Sequence, residues 1–205
     1  MLLQVHPDNP NARNIKTIVE CLQDGGIIIY PTDTVYGLGC DITQPKAIER
    51  IARIKHIDPK KANFSFICYD LSHLSDYAKS VDTPVFRMLK KALPGPYTFI
   101  LPASRQVPRL LKTKKDTVGI RVPNNNICRT IVKELGNPIM STTLPIEHYV
   151  EEYTDPEIIY EKFGKQVDIV VDGGPGGMAF STVIDCTGPV PELVREGIGS
   201  FEAIS

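Results

Sequence analysis

Short apolar runs alternate with amphipathic stretches along nearly the whole chain. The runs are rich in Ile and Val, and the amphipathic stretches repeat their apolar residues at helical spacing. No internal repeat, low-complexity tract or obvious linker interrupts this alternation. We therefore predict an α/β fold with a single domain over residues 1–205, a twisted sheet and flanking helices. Short connections between strands near the C-terminus favour a mixed sheet over a purely parallel one.

The elements predicted from these patterns cover most of the chain. Helices are predicted at 11–21, 45–56, 72–78, 83–92, 107–111, 127–135 and 154–163. Strands are predicted at 27–31, 64–68, 97–101, 117–122, 138–142, 167–171, 182–185 and 192–195.

Composition excludes several classes of protein. Hydrophobic residues make up 42% of the 205 residues, which is enough for a sizeable core. The chain has no apolar run of the roughly 18 residues that a membrane-spanning helix needs, and its first residues lack a signal-peptide pattern. The five cysteines are scattered and share no CxxC spacing, which argues against a disulfide framework or a zinc site. We expect a cytoplasmic enzyme or binding protein that does not contact a membrane.

Charge is distributed unevenly along the chain. Residues 1–133 carry 20 Lys and Arg against 11 Asp and Glu, whereas residues 134–205 carry 3 against 13. One interpretation is a pair of solvated surfaces of opposite sign that attract each other. The other is a basic concave surface for phosphates, built from the first two-thirds of the chain.

A polar segment, Pro31–Asp41, follows the predicted strand at 27–31 and is predicted to be a loop. Ligands of open α/β sheets bind beyond the carboxyl ends of strands, where this segment lies. Thr32, Thr34 and Tyr36 offer hydroxyl groups, and two glycines allow close backbone approach. The segment therefore indicates a site for a small polar ligand.

The common nucleotide and catalytic motifs are absent. Neither GxGxxG nor GxxxxGK[ST] occurs, and the four histidines show no metal-binding or triad pattern. The polar segments at the predicted strand ends remain as candidates for the functional site.

Taken in order and spacing, these segments resemble the YrdC/YciO family, which includes the L-threonylcarbamoyladenylate synthases. The resemblance covers residues 12–199, and the runs 64–75 and 94–102 make the chain most similar to the YciO branch. The segments that carry the resemblance are 31–39, Lys55 with Asn63 downstream, 94–98, 117–123, 141–143, 181–185 and 194–197.

The resemblance implies a twisted mixed sheet with a basic concave cleft. It also implies binding of ATP or AMP, L-threonine, bicarbonate, and tRNA or double-stranded RNA. The synthase reaction converts L-threonine, bicarbonate and ATP into threonylcarbamoyl-AMP and pyrophosphate, for modification of a tRNA adenosine. Mg²⁺ is the expected counter-ion of ATP, held mainly by phosphates and water rather than by protein ligands.

The resemblance also assigns roles to residues. Lys55 and Arg121 match the family's catalytic positions, and Arg121 would pair with the amino-acid carboxylate. The positions on the threonine side are Thr34, Arg121, Ser141 and Ser181. The positions on the nucleotide side are Lys55, Asn63, Thr117, Thr143 and Arg195. An Arg on an apolar strand also needs an anionic partner on general grounds, and Asp33, Asp172 or a ligand could supply it.

The chain departs from the synthase pattern at three positions. The synthases have a Lys-x-Arg motif where this chain has Ile57 two residues after its lysine, and a Ser-x-Asn motif that ends here in Pro145. Cys68 stands where a His is usual. Loss of a phosphate-binding cation typically lowers the rate by orders of magnitude. Lys60 and Lys61 could supply replacement charge, although a lysine is not a bidentate donor.

Two functions follow from this mixture of kept and lost residues. The first is an enzyme of threonylcarbamoyl-adenylate chemistry, either a weakened synthase or one that acts on the same intermediate or on the modified tRNA. The second is a non-catalytic protein that binds double-stranded RNA or a nucleotide and has kept the cleft. A transfer enzyme for a different amino acid is a third, weaker alternative.

Overall fold

The computed structural model describes residues 1–58, 64–111, 116–145 and 150–205, and its strands form one mixed sheet. The strands are β1 (Leu2–Gln4), β2 (Ile28–Tyr30), β3 (Gly37–Asp41), β4 (Ser65–Ile67), β5 (Tyr97–Pro102), β6 (Thr117–Arg121), β7 (Ile139–Thr143), β8 (Ile169–Asp172), β9 (Thr182–Asp185) and β10 (Glu192–Arg195). The helices are α1 (Ala12–Gln23), α2 (Pro45–Ile54), α3 (Leu74–Tyr77), α4 (Thr83–Ala92), α5 (Asn126–Leu135) and α6 (Pro156–Phe163). The predicted α/β fold with a mixed sheet is confirmed.

The strand order is β1-β8-β2-β3-β7-β4-β6-β5-β9-β10. Strand β8 is parallel to both β1 and β2, and the pairs β4 with β6 and β5 with β9 are also parallel. The remaining neighbours are antiparallel. Strands distant in sequence are therefore neighbours at the centre of the sheet, where β7 lies between β3 and β4.

Helices pack on both faces of the sheet. Helices α2, α4 and α6 pack on the first face, where Phe66 and Phe99 lie in a large buried cluster. Helices α1 and α5 pack on the second face against Tyr30, Ile67 and Ile139. Alternate residues of a strand share a face, so Ser65 and Ser141 lie on the second face beside these apolar contacts. This second face continues past α1 and α5 as an open concave surface.

Local sequence sets the helix ends. The side chains of Asn11, Asp82 and Asn125 accept hydrogen bonds from backbone N–H groups in the first turns of α1, α4 and α5. Gly136 ends α5 with a φ of 82°, a left-handed conformation that glycine adopts without strain. None of the helices in the described ranges has the length and apolarity needed to cross a bilayer.

Several predicted elements need correction. The predicted loop at Pro31–Asp41 ends in strand β3, which pairs with β2 and β7, and strand β1 was not predicted. Helix α6 begins at Pro156 rather than at Thr154, because Asp155 accepts the hydrogen bond from the N–H of Glu157. The helix predicted at 72–78 shortens to α3, and the one at 107–111 is a 3-10 helix at Arg109–Leu111.

Candidate functional site

A cavity of about 320 Å³ lies on the open part of the second sheet face. A row of paired residues crosses five adjacent strands beneath it, and four of its members line the cavity. The row consists of Gly39, Ser141, Ser65, Gly119 and Ile100. Most of these side chains are small, which leaves the concave space unfilled. Arg121 and Arg195 also line the cavity, and none of the described lining residues is acidic, so the cleft is basic.

Arg121, at the end of β6, is held by the segment between β2 and β3. Its Nη2 atom donates to Oδ1 of Asp33 at 2.6 Å, to Oγ1 of Thr34 at 2.7 Å and to Oγ1 of Thr32 at 3.3 Å. The other carboxylate oxygen of Asp33 accepts from the N–H of Asn124 at 2.9 Å. Asp33 is therefore the anionic partner of Arg121, one of the three alternatives that the sequence left open.

The guanidinium of Arg121 retains unused donors. Arg121 is buried, and its Nε atom is the one buried side-chain polar atom without a hydrogen bond in the described part of the chain. Its Nη1 atom likewise has no acceptor among the described residues, because the hydrogen bonds that Arg121 donates to them all come from Nη2. An unpaired buried donor costs about 1–3 kcal/mol. Arg121 also lines the cavity, so an anionic ligand there would lie beside its guanidinium.

Ser141 and Tyr30 form a second polar pair at the β7 side of the cavity. The hydroxyl of Tyr30, which is fully buried, donates to Oγ of Ser141 at 2.6 Å. Burial raises the pKa of Tyr30, so the phenol remains protonated near neutral pH. Ser141 itself lines the cavity and is only 5% exposed.

A third polar group lies at the opposite side, where β5, β9 and β10 meet. The hydroxyls of Thr98 and Ser181 are 2.9 Å apart. Arg195 donates to the carbonyl of Ser181 at 2.9 Å and to its hydroxyl at 3.3 Å, and its guanidinium lies over the ring of Phe180. Burial lowers the pKa of Arg195, and the charge of Arg121 lowers it further.

Lys55 approaches the cavity from the end of α2. Its Nζ atom donates to the carbonyl of Thr143 at 2.6 Å and to the Thr143 hydroxyl at 3.3 Å. Burial lowers the pKa of Lys55, and no acidic side chain pairs with it in the described ranges. A partly desolvated ammonium without a counter-charge is suited to an anionic ligand.

The sequence-predicted residues fall into three groups. Thr34 contacts the lining residue Arg121 from a buried position, and Lys55 contacts the lining residue Thr143. Those that line the cavity directly are Arg121, Ser141, Ser181, Thr117, Thr143 and Arg195. Asn63, like the possible replacement charges Lys60 and Lys61, lies outside the described residues.

The departures from the synthase pattern have different surroundings. Ile57 is 37% exposed just beyond Lys55, so the chain has an apolar side chain where the synthases have a guanidinium. Cys68 is buried, and burial raises the pKa of its thiol to about 12, which keeps it in the protonated thiol form at neutral pH.

No role was predicted for Tyr30, Ser65 or Thr98. The alternation of exposure along β5 places Thr98 and Ile100 toward the cavity and Tyr97 and Phe99 in the core. A polar residue at an alternating position of a buried strand was the available signal for Thr98. Tyr30 gave no such signal, because it ends an apolar run and its hydroxyl partner is distant in sequence.

The fold and the cavity together define an α/β protein with a polar, basic ligand cleft on one face of a mixed sheet. Residues 20–197 match the model of the Sua5/YciO/YrdC family, which carries the description "Telomere recombination". The chain belongs to this family, and the resemblance found in the sequence is confirmed.

Three relatives illustrate the relationship. The uncharacterized protein YciO of Escherichia coli K12 is 46% identical over 199 residues, which are 97% of this chain and 96% of YciO. The crystal structure of E. coli YciO superposes with a TM-score of 0.93 at 43% identity, covering 100% of this chain and 99% of that one. A threonylcarbamoyl-AMP synthase of Vibrio vulnificus is 30% identical over 165 residues, covering 80% of this chain and 88% of the synthase.

The third relative is the Sua5 protein of P. abyssi, whose crystal structure contains L-threonine. It superposes with a TM-score of 0.85 at 27% identity and covers 96% of this chain and 57% of the Sua5 chain. This chain is therefore similar to proteins whose named activity is threonylcarbamoyl-AMP synthesis, and more similar in sequence to YciO.

Proposed function

We propose that the cavity binds L-threonine and an adenine nucleotide, and that the protein carries out threonylcarbamoyl-adenylate chemistry. The reaction is synthesis of threonylcarbamoyl-AMP from L-threonine, bicarbonate and ATP, or conversion of the same intermediate or of the modified tRNA. The observation that carries the proposal is Arg121, which is buried, anchored by Asp33, lines the cavity and keeps unpaired donors. Action on tRNA implies a cytoplasmic location.

The amino-acid side has the donors that L-threonine requires. The unpaired donors of Arg121 would bind the carboxylate, because a guanidinium offers parallel N–H groups to its two oxygens. Ser141 and the Thr98–Ser181 pair add hydroxyls for the remaining polar groups of the ligand. The complex of P. abyssi Sua5 with L-threonine supports this assignment, since that protein shares the fold.

The nucleotide side is less well equipped. Lys55, Thr143, Thr117 and Arg195 would contact the nucleotide, and Lys55 is the cation nearest to Thr143 among those with described contacts. Mg²⁺ would accompany ATP, where it supplies charge stabilisation of the phosphates. The described lining residues include no carboxylate, so this ion would be held by phosphates and water.

A turnover assay tests the proposal. The protein is incubated with L-threonine, bicarbonate, ATP and Mg²⁺, and threonylcarbamoyl-AMP is sought by mass spectrometry. Parallel reactions start from threonylcarbamoyl-AMP and from threonylcarbamoyl-modified tRNA. We expect turnover in at least one of these reactions and its loss in Arg121→Ala. Absence of turnover in all of them, or full turnover by Arg121→Ala, would contradict the proposal.

A second candidate function is non-catalytic binding of double-stranded RNA or a nucleotide. The specific observation in its favour is Ile57, which replaces a phosphate-binding Arg, together with Pro145 in place of an Asn. This candidate predicts RNA or nucleotide binding that weakens steeply with salt and no chemical conversion of any substrate in the turnover assay.

A further inference from the structure

Tyr30 is a buried polar residue at the base of the cavity. It ends β2, and its ring lies beneath the glycines of β3. A Cβ on Gly37 would lie 3.0 Å from Cζ of Tyr30 and 3.3 Å from Oγ of Ser141. The absence of a side chain at Gly37 therefore leaves the Tyr30–Ser141 hydrogen bond next to open cavity space. Tyr30 itself does not line the cavity and would reach a ligand only through Ser141.

The protons of this pair can be assigned. Tyr30 has one hydroxyl proton, and it is donated to Oγ of Ser141. Ser141 therefore acts as the acceptor in this bond, and its own proton must be donated elsewhere. No acceptor for it exists among the described residues, and the Ser141 side chain borders the cavity. The hydroxyl proton of Ser141 is consequently available to a ligand.

We infer that Tyr30 is a positioning residue that fixes Ser141 as a hydrogen-bond donor, so that the ligand group bound at Ser141 is an acceptor such as a carboxylate or carbonyl oxygen. The identity of the ligand rests on the proposed function, whereas the direction of the hydrogen bond does not. Because the phenol remains protonated, this direction is the same over the physiological pH range.

The opposite side of the cavity also presents hydroxyls, those of Thr98 and Ser181. A guanidinium can only donate, so Arg195 makes the hydroxyl of Ser181 an acceptor. Ser181 keeps a second lone pair, so either hydroxyl of the Thr98–Ser181 pair, 2.9 Å apart, can be the donor in their hydrogen bond. Thr34 differs, because its hydroxyl accepts from Arg121 and lies 3.1 Å from Oγ1 of Thr32 within a closed network. The cavity thus has a hydroxyl donor of fixed direction at Ser141 and a hydroxyl pair of open direction at Thr98 and Ser181.

Neutron crystallography of the ligand-free protein tests the direction of the hydrogen bond independently of function. We expect the exchangeable hydroxyl deuterium of Tyr30 to lie between its oxygen and Oγ of Ser141, with the Ser141 deuterium directed into the cavity. A Ser141 deuterium directed at Tyr30 would overturn the inference, whatever ligand the protein binds.

Calorimetric titration with L-threonine tests the consequence. We expect Tyr30→Phe to weaken binding by roughly 3- to 10-fold, the equivalent of one hydrogen bond, and to have no further effect in a Ser141→Ala background. Tyr97→Phe is the matched control, because it removes a buried phenol hydroxyl bonded to the carbonyl of Ser200 on the other face of the sheet. This variant should bind with unchanged affinity.

Two results of the titration would overturn the inference. One is wild-type affinity in Tyr30→Phe, and the other is an equal loss from Tyr30→Phe with and without the Ser141 hydroxyl. If the wild-type protein binds no L-threonine at all, the proposed amino-acid site is wrong, and the neutron experiment alone decides the direction of the hydrogen bond.

Discussion

At the scale of single residues, Arg121 links the stability of the cleft to its function. Its ion pair with Asp33 is short and about nine-tenths buried on both sides, unlike the exposed pair of Arg50 with Asp168. Removing one partner of a buried pair leaves an uncompensated charge, whereas an exposed pair contributes little. The same guanidinium is also the proposed carboxylate donor.

We therefore predict that Arg121→Met lowers the free energy of unfolding by about 3 kcal/mol. The matched change Arg50→Met should lower the free energy of unfolding by less than about 1 kcal/mol. Urea denaturation of the two variants measures the difference, and equal costs would show that the Asp33 pair is not effectively buried.

Lys55 gives a second prediction at this scale, concerning pH. Its pKa is lowered in the folded protein, so its ammonium loses its proton below the ordinary lysine value of 10.5. Between the lowered pKa and 10.5 the unfolded chain binds more protons, so this group makes stability rise with pH there. ATP affinity should fall in the same window, because a neutral amine no longer attracts phosphate.

The measurement is ATP affinity between pH 7 and 10 in the wild-type protein and in Lys55→Gln, where the glutamine does not titrate. The variant should bind more weakly at neutral pH and should lose the part of the pH dependence that Lys55 contributes. An identical pH profile in the two proteins would exclude Lys55 from the nucleotide site.

At the scale of elements, strand β3 is the main difference between prediction and structure. Its sequence, Gly-Leu-Gly-Cys-Asp, has no β-branched residue and two glycines, a composition typical of loops. It is nevertheless a buried strand that pairs with β2 and β7, and neighbouring atoms leave no room for a side chain at its glycines. A Cβ on Gly39 would lie 2.6 Å from Cγ2 of Ile139 and 2.7 Å from the carbonyl of Met140.

We predict that Gly39→Ala destabilises the protein by about 3 kcal/mol, because the backbone of β7 cannot move aside cheaply. Gly174→Ala is the comparison, since its φ of +87° is unfavourable for alanine but its Cβ would meet no atom within 4 Å. Gly174→Ala should lower the free energy of unfolding by about 1 kcal/mol. Thermal unfolding of both variants shows which one is destabilised more. A smaller loss of stability in Gly39→Ala than in Gly174→Ala would contradict the close packing at Gly39.

Most elements were predictable because their periodicity is local. The helical spacing in α1, α2 and α5 and the apolar runs of β2 and β8 are visible without tertiary information. The order of strands in the sheet was not predictable, because β7 pairs with β3 and β4, which are distant from it in sequence. The partner of Arg121 was narrowed to three candidates but not decided, since it depends on how the segment at Asp33 folds back over β6.

At the scale of the whole molecule, the cavity is lined by residues from much of the sheet. Residues from β3, β4, β5, β6, β7, β9 and β10 line it, although these strands are spread over most of the chain. A ligand bound there contacts strands that unfolding would separate. Binding should therefore stabilise the fold as a unit.

We predict that ATP and L-threonine together, each at about 100 times its dissociation constant, raise the melting temperature by more than either ligand alone. One ligand at that concentration adds about 2.7 kcal/mol, which corresponds to several degrees for a chain of this size. Differential scanning fluorimetry measures the shift. An increase with ATP but none with L-threonine would favour a nucleotide-binding protein without the amino-acid site.

The most direct test of the central claim is the affinity for L-threonine in wild-type protein and in Arg121→Lys. The lysine keeps the charge opposite Asp33 but cannot offer the paired N–H groups of a guanidinium. Titration calorimetry should give saturable binding to the wild-type protein and at least tenfold weaker binding to the variant, with Arg129→Lys on α5 unchanged as the control. Absence of saturable binding, or equal affinity in Arg121→Lys, would contradict the assignment of this cavity to an amino-acid ligand.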